Sequence, residues 1–255
     1  MRLHFLGTGT SQGVPVIGCT CAVCTSEDTR NHRMRSSVWI ELGGKHIVID
    51  TPAEFRLQAL RAKLPRLDAL LYTHAHADHI FGIDDIRRYN QIQREVIPLY
   101  ASKETLEALR QIAGYIFDFD DHSWALPKAE PHEITGPFEL FGRVVEPLLV
   151  WHGKMPVTAF RIGRMAYVTD CNAIPDETME RLEGLDLLVL DALRHRPHPT
   201  HFSISEAVEV IQRLKPKRAL LTHLCHEVDH AATEAELPPG IRLAYDGLVE
   251  EIDDP

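Results

Sequence analysis

Apolar positions recur along the chain in short blocks separated by polar and turn residues. RLHFLG, SSVWIELG, KHIVID, LDALLYTH, IPLYAS, VVEPLLVWH, VTAFRIG, MAYVTD, LDLLVLD and RALLTH each have the length and the β-branched or aromatic content of a strand. Between them, SKETLEALRQIAG, PDETMERLEG and SISEAVEVIQRLKP carry helical spacing. The last opens on a capping box, Ser203 with Glu206, and stops at Lys215-Pro216. Hairpin-like strands come first, and strands alternating with helices follow. That order predicts an α/β protein with two packed sheets and outer helices. No repeat, low-complexity linker or composition break divides the chain, so residues 1–255 are read as one domain.

Composition adds limits. At 255 residues the chain can bury a sizeable core, and its 44% hydrophobic and 25% charged residues are ordinary for a globular protein. It has no apolar run of about 18 residues, so no membrane partner is expected. The start, MRLHFLGTGTSQG, becomes glycine-rich and polar too early for a secretory signal, which leads to an expectation of a cytoplasmic protein. Five cysteines, an odd number, make a disulfide framework the weakest account of Cys19, Cys21 and Cys24 in GCTCAVC. A redox centre and a metal clip stay open. The formal charge of −10 argues against an extended nucleic-acid surface. The 15 histidines are in excess, and metal chemistry is the natural reason for them.

Three expected strands end in threonine followed by a ligand type: LYTH at His74, YVTD at Asp170 and LLTH at His223. Side chains at strand ends converge on one edge of a sheet, where crevices form. The first of these opens HAHADH, residues 74–79. A loop leaving a strand can set His74 and His76 on one cation while Asp78 and His79, a turn later, face a second. Imidazole with carboxylate suits zinc, manganese or iron better than calcium or magnesium. His152, Asp170 and His223 are the remaining ligand candidates. Asp50, which ends HIVID, is a candidate to orient a ligand histidine. Asp84 and Asp85 read as a solvated helix start. His4, His32, His46, His122, His132, His195, His198 and His230 have no partner at a recognisable spacing and are read as structural or surface residues.

HAHADH, a later isolated histidine, a strand-end aspartate and a late histidine together resemble the metallo-β-lactamase superfamily. The likeness runs from FLGTGTSQGVP to AYDG. It implies a four-layer αββα sandwich of two mixed sheets with outer helices, and two catalytic divalent metals, zinc or manganese with iron as a third choice. Carried over position by position, it puts His74, His76 and His152 on one metal, Asp78, His79 and His223 on the other, and Asp170 between them. Asp78 and His201 become the catalytic residues.

GCTCAVC together with LTHLCH narrows the resemblance to the PhnP-like phosphodiesterases, which open small, including cyclic, phosphate esters. In that branch Cys19, Cys21, Cys24 and His226 would hold a separate structural zinc, with Cys225 as the alternative fourth ligand. His201, two residues before the N-cap Ser203, would protonate the leaving alkoxide, and a substrate phosphate would rest on the helix N-terminus. A homodimer is compatible with the resemblance. The alternatives are a tRNA 3′-processing nuclease, a PqqB-like metal-dependent oxygenase, and a thiol–metal binding module without turnover.

Overall fold

The computed structural model describes residues 1–118 and 124–253, so His122 lies outside the described residues. The strands are β1 (Arg2–Gly7), β2 (Ser37–Leu42), β3 (Lys45–Ile49), β4 (Ala69–Leu71), β5 (Ile97–Ala101), β6 (Ala129–Glu133), β7 (Phe138–Leu140), β8 (Arg143–His152), β9 (Met155–Ile162), β10 (Met165–Val168), β11 (Leu187–Asp191), β12 (Arg218–Thr222), β13 (Ile241–Leu243) and β14 (Val249–Glu251). They form two seven-stranded sheets, ordered β14-β1-β2-β3-β4-β5-β6 and β13-β12-β11-β10-β9-β8-β7. The helices are α1 (Phe55–Ala62), α2 (Ala77–Ile80), α3 (Arg87–Gln93), α4 (Lys103–Ala113), α5 (Asp176–Arg181), α6 (Ile204–Leu214) and α7 (His230–Glu236). The architecture is the αββα sandwich. No helix among the described residues is long and apolar enough to cross a membrane.

Period-two alternation builds the layers. Ile47 and Ile49 of β3 and Met165 and Tyr167 of β10 pack between the sheets. Their alternates face outward: Val48 packs with Phe55 of α1 and Leu106 of α4, whereas Ala166 and Val168 pack with Ile204 and Ile211 of α6. The short strands β6, β7, β13 and β14 escape the sequence pattern because each lies at or next to a sheet edge and carries only three to five residues. The block LDALLYTH yields a regular strand of only three residues. The chain beyond it turns toward the second sheet, where the Thr73 carbonyl accepts from the Thr158 amide at 3.0 Å.

This topology places the site. Strands β3 to β6 run parallel, and so do β10 to β13. The residues just past β3, β4, β10 and β12 are Asp50, His74, Asp170 and His223. Asp50, Asp170 and His223 have φ of 64°, 53° and 61°. Left-handed backbone at non-glycine residues costs about 1–3 kcal/mol each and persists only where the surroundings enforce it. Lys63, Arg94 and Lys215 share the conformation as ordinary helix C-caps. At the three strand ends it instead turns a ligand-type side chain toward the gap between the sheets.

Candidate metal centre

His74 leaves β4, His76 sits at the N-cap of α2, and Asp78 and His79 follow in that single helical turn. Gly82 lets the turn lie flat on the neighbouring loop, since a Cβ there would come within 2.0 Å of the Pro52 carbonyl. Six imidazoles then form a closed ring. Successive centroid distances are 4.5 Å (His74–His76), 5.3 Å (His76–His152), 4.4 Å (His152–His201), 4.7 Å (His201–His223), 6.2 Å (His223–His79) and 4.3 Å (His79–His74). Asp170 belongs with members on every side of it: donor atoms group as Asp78–His79–Asp170–His223, as His74–His76–Asp170 and as His152–Asp170–His201, each within 4.8 Å.

His152, which the sequence reading assigns to His74 and His76, stands between His76 and His201 in the ring, at 5.3 and 4.4 Å, and shares Asp170 with the His74–His76 group. It ends the long β8 hairpin, which holds it at the outer margin of the ring. There its Nδ1 pairs with the Thr200 carbonyl at 2.8 Å, which leaves Nε2 for the site.

Buried carboxylates fix the other rings. Asp50 accepts from His79 Nδ1 at 2.7 Å and from the Thr73 hydroxyl at 2.8 Å, and Thr73 in turn meets His74 Nδ1 at 2.9 Å. One carboxylate thus orients two imidazoles and turns both Nε2 atoms inward. On the opposite side Asp191 pairs with His201 Nδ1 at 3.1 Å; its other oxygen lies 3.4 Å from His223 Nδ1 without hydrogen-bond geometry. The sequence reading missed Asp191, although LDLLVLD ends on aspartate just as HIVID does. It also placed His198 among the structural and surface histidines, yet that ring lies 5.2 Å from His201.

The Nε2 atoms of His74, His79 and His223 are buried without a hydrogen-bond partner, and each faces Asp170, at 3.9, 3.3 and 3.3 Å. Burial works against charge on His79, but Asp170 and Asp50 hold its pKa well above the usual imidazole range. His223 is likewise raised to about 8 by Asp170 and Asp78 in spite of burial. Burial and the neighbouring His79 push His74 far down. Asp170 and Asp78 stay well below the carboxylate range despite burial, held there by His223 and His79. The buried carboxylates favour positive charge at their centre, and the inward imidazole and carboxylate donors fit divalent metal.

At the start of α6, where the sequence reading rests a substrate phosphate, three amides are engaged within the protein: the Ser203 amide bonds Glu206, the Ile204 amide bonds the Arg194 carbonyl, and the Glu206 amide bonds the Ser203 hydroxyl. Asp84 and Asp85 start a 3-10 turn, with Asp84 bound to Tyr115 at 2.8 Å, outside the ring.

A second cluster stands apart. The Cys19, Cys21 and Cys24 sulfurs lie 3.3, 3.5 and 3.7 Å from His226 Nδ1. Zinc bonds of about 2.3 Å to sulfur and 2.0–2.1 Å to nitrogen give tetrahedral edges of about 3.5 Å. Cys225 does not join the group; it points elsewhere, its sulfur accepting from the Glu227 amide at 3.4 Å.

The sequence model of the beta-lactamase superfamily domain matches residues 45–224. A crystal structure described as a new diphosphatase from the PhnP family is 44% identical, with a TM-score of 0.93, covering 99% of this chain and 98% of that one. The chain belongs to the PhnP family of the metallo-β-lactamase superfamily. With this fold and this family, it is a metal-dependent hydrolase. The octanoyltransferase of Porphyromonas gingivalis is 38% identical over 262 residues, which is 100% of this chain and 52% of that protein. The chain therefore spans about half the length of that curated relative. Zinc-bound PqqB from Methylobacterium extorquens, at 19% identity and a TM-score of 0.76 over 99% of this chain and 100% of that one, shares the fold.

Proposed function

We propose that this hydrolase is a dinuclear phosphodiesterase acting on small phosphodiesters, cyclic ones included. The observation that carries this reading is the ring of six imidazoles closed around Asp170, with buried, unpartnered Nε2 atoms facing it. His74 and His76 would hold one metal, with His152 at its margin. Asp78, His79 and His223 would hold the other, and Asp170 would bridge. When bound, such a pair supplies an acidic water and neutralises charge on the phosphoryl group. The chain's own residues do the rest. Asp50 and Asp191 lock the tautomers of the rings they touch. Asp191, paired with His201 Nδ1, would stabilise the imidazolium form of His201, in which Nε2 also carries a proton, and that proton would pass to the leaving alkoxide. Asp78, 12% exposed at its side chain, would also orient an attacking water.

Zinc or manganese suits the catalytic pair, with iron as a third choice, and zinc suits the cysteine clip. A mononuclear oxygenase needs one triad with open positions, fewer donors than this ring presents. Cys171, beside Asp170, does not serve as a nucleophile for acyl transfer: it is fully buried, and burial pushes its thiol well up.

A second reading is diphosphate cleavage, favoured by the activity described for the 44% identical relative. The same groups would serve, with phosphate in place of alkoxide as the leaving group. The test is to load the protein with zinc, manganese or iron and assay bis(4-nitrophenyl) phosphate, 2′,3′-cyclic nucleotides and a nucleoside diphosphate ester. Turnover of the diesters supports the first reading, and turnover of the diphosphate alone supports the second. No turnover with any metal defeats both.

A further inference from the structure

A cavity of about 540 Å³ opens between the two sheets at their β5–β6 and β7–β8 side, and His74 and Ala75 form part of its wall. Much of the remaining lining is aliphatic: Ile134 and Pro137 from the β6–β7 connection, Pro147 and Leu149 of β8, and Val157 of β9. Leu149 points to the inner side of its sheet, as Val145 does, but is 44% exposed because nothing from the first sheet reaches over it. Exposed apolar surface in a concavity beside a reaction centre is the usual make-up of a ligand subsite. The charged lining residues do not make it an anion site. Glu104 and Glu177 are exposed acids, and Arg181 is tied to Glu146 at 3.1 Å.

The ring order decides which part of a substrate the cavity can take. His201 lies opposite His74, three neighbours away by either path. In the hydrolysis above, water oxygen bonds to phosphorus, the bond to the leaving oxygen breaks, and that oxygen takes the His201 proton. The leaving group therefore departs on the His201 side. The other ester substituent stays on phosphorus in the monoester product and needs room elsewhere. The geometry points to the cavity beside His74 as the subsite for that retained substituent, an uncharged and largely apolar organic group. This inference rests on the phosphodiesterase reading and adds a physical basis for preferring diesters, since a monoester has nothing to place there.

The test compares methyl 4-nitrophenyl phosphate with phenyl 4-nitrophenyl phosphate on the metal-loaded enzyme. Both release the same 4-nitrophenolate and differ only in what remains on phosphorus. The phenyl ester is expected to have a KM lower by about tenfold, with similar kcat. Leu149→Asp, which makes the wall polar, and Thr135→Trp, which fills the cavity from an exposed loop position, should each erase that advantage and leave the methyl ester unchanged. Equal KM values for the two esters, or variants that slow both alike, overturn the subsite while the phosphodiesterase reading stands. No turnover of either ester overturns both.

Discussion

The molecule carries two clusters of metal-ligand residues that differ in composition and in openness. The cysteine clip has three sulfurs and one ring nitrogen at nearly tetrahedral separations. Four donors close such a shell, and a closed shell suits structure. The ring around Asp170 has six imidazoles and two facing carboxylates, with His79 and His201 held from behind by Asp50 and Asp191. Sites that leave positions for water and substrate suit reaction. The two clusters are joined by sequence, since His223 and His226 flank Leu224 and Cys225. They are also joined by hydrogen bonds: the Leu224 amide and carbonyl pair with Thr8 and Thr10, and buried Arg33 donates to the Cys225 and Val228 carbonyls. A metal held by the cysteines and His226 would therefore steady the loop that carries His223.

The largest effect that would break this contrast is at Asp170. Asp170→Asn should lower turnover on the order of 10³-fold and empty at least one ring site, while metal analysis still finds the clip zinc. Loss of the clip zinc in that variant would show that the clusters are not separable. Asp50→Asn comes next: with the partner of His79 and Thr73 weakened, ring metal affinity should fall about 10- to 100-fold by titration, again sparing the clip. Cys21→Ser tests the other side. Zinc should fall by about one per chain and the melting temperature by about 10 °C, with the ring metals retained. An unchanged zinc count would remove the clip. The smallest effect is Cys225→Ala, which should leave all metal counts unchanged and lower the melting temperature by about 2–4 °C through a small cavity. A lost zinc there would return Cys225 to the ligand set.

Local spacing made part of the site legible. HAHADH and the cysteine triplet carry their donors within six residues, and the strand ends at Asp170 and His223 stand out because a polar ligand type closes an apolar block. His152 had no such neighbour, and the Asp170 and His201 that it stands beside lie 18 and 49 positions further along the chain. Asp191 was missed for the same reason. A strand-end aspartate gives no local sign of the histidines ten and 32 positions later that it will face. At α6 the capping box that marked the helix start also engages amides of that start.

Sequence alone determined the layered α/β architecture, because period-two alternation and helical spacing are set residue by residue and the hydrophobic effect acts on them wherever they fall. It also determined the donor types, since imidazole, carboxylate and thiolate chemistry does not depend on fold. Tertiary structure decided which donors meet. The ring closes only when the ends of β3, β4, β8, β10 and β12 reach one edge of the sandwich. His226 rather than Cys225 joins the cysteines because adjacent side chains on one loop point in different directions, and only the surrounding contacts choose between them.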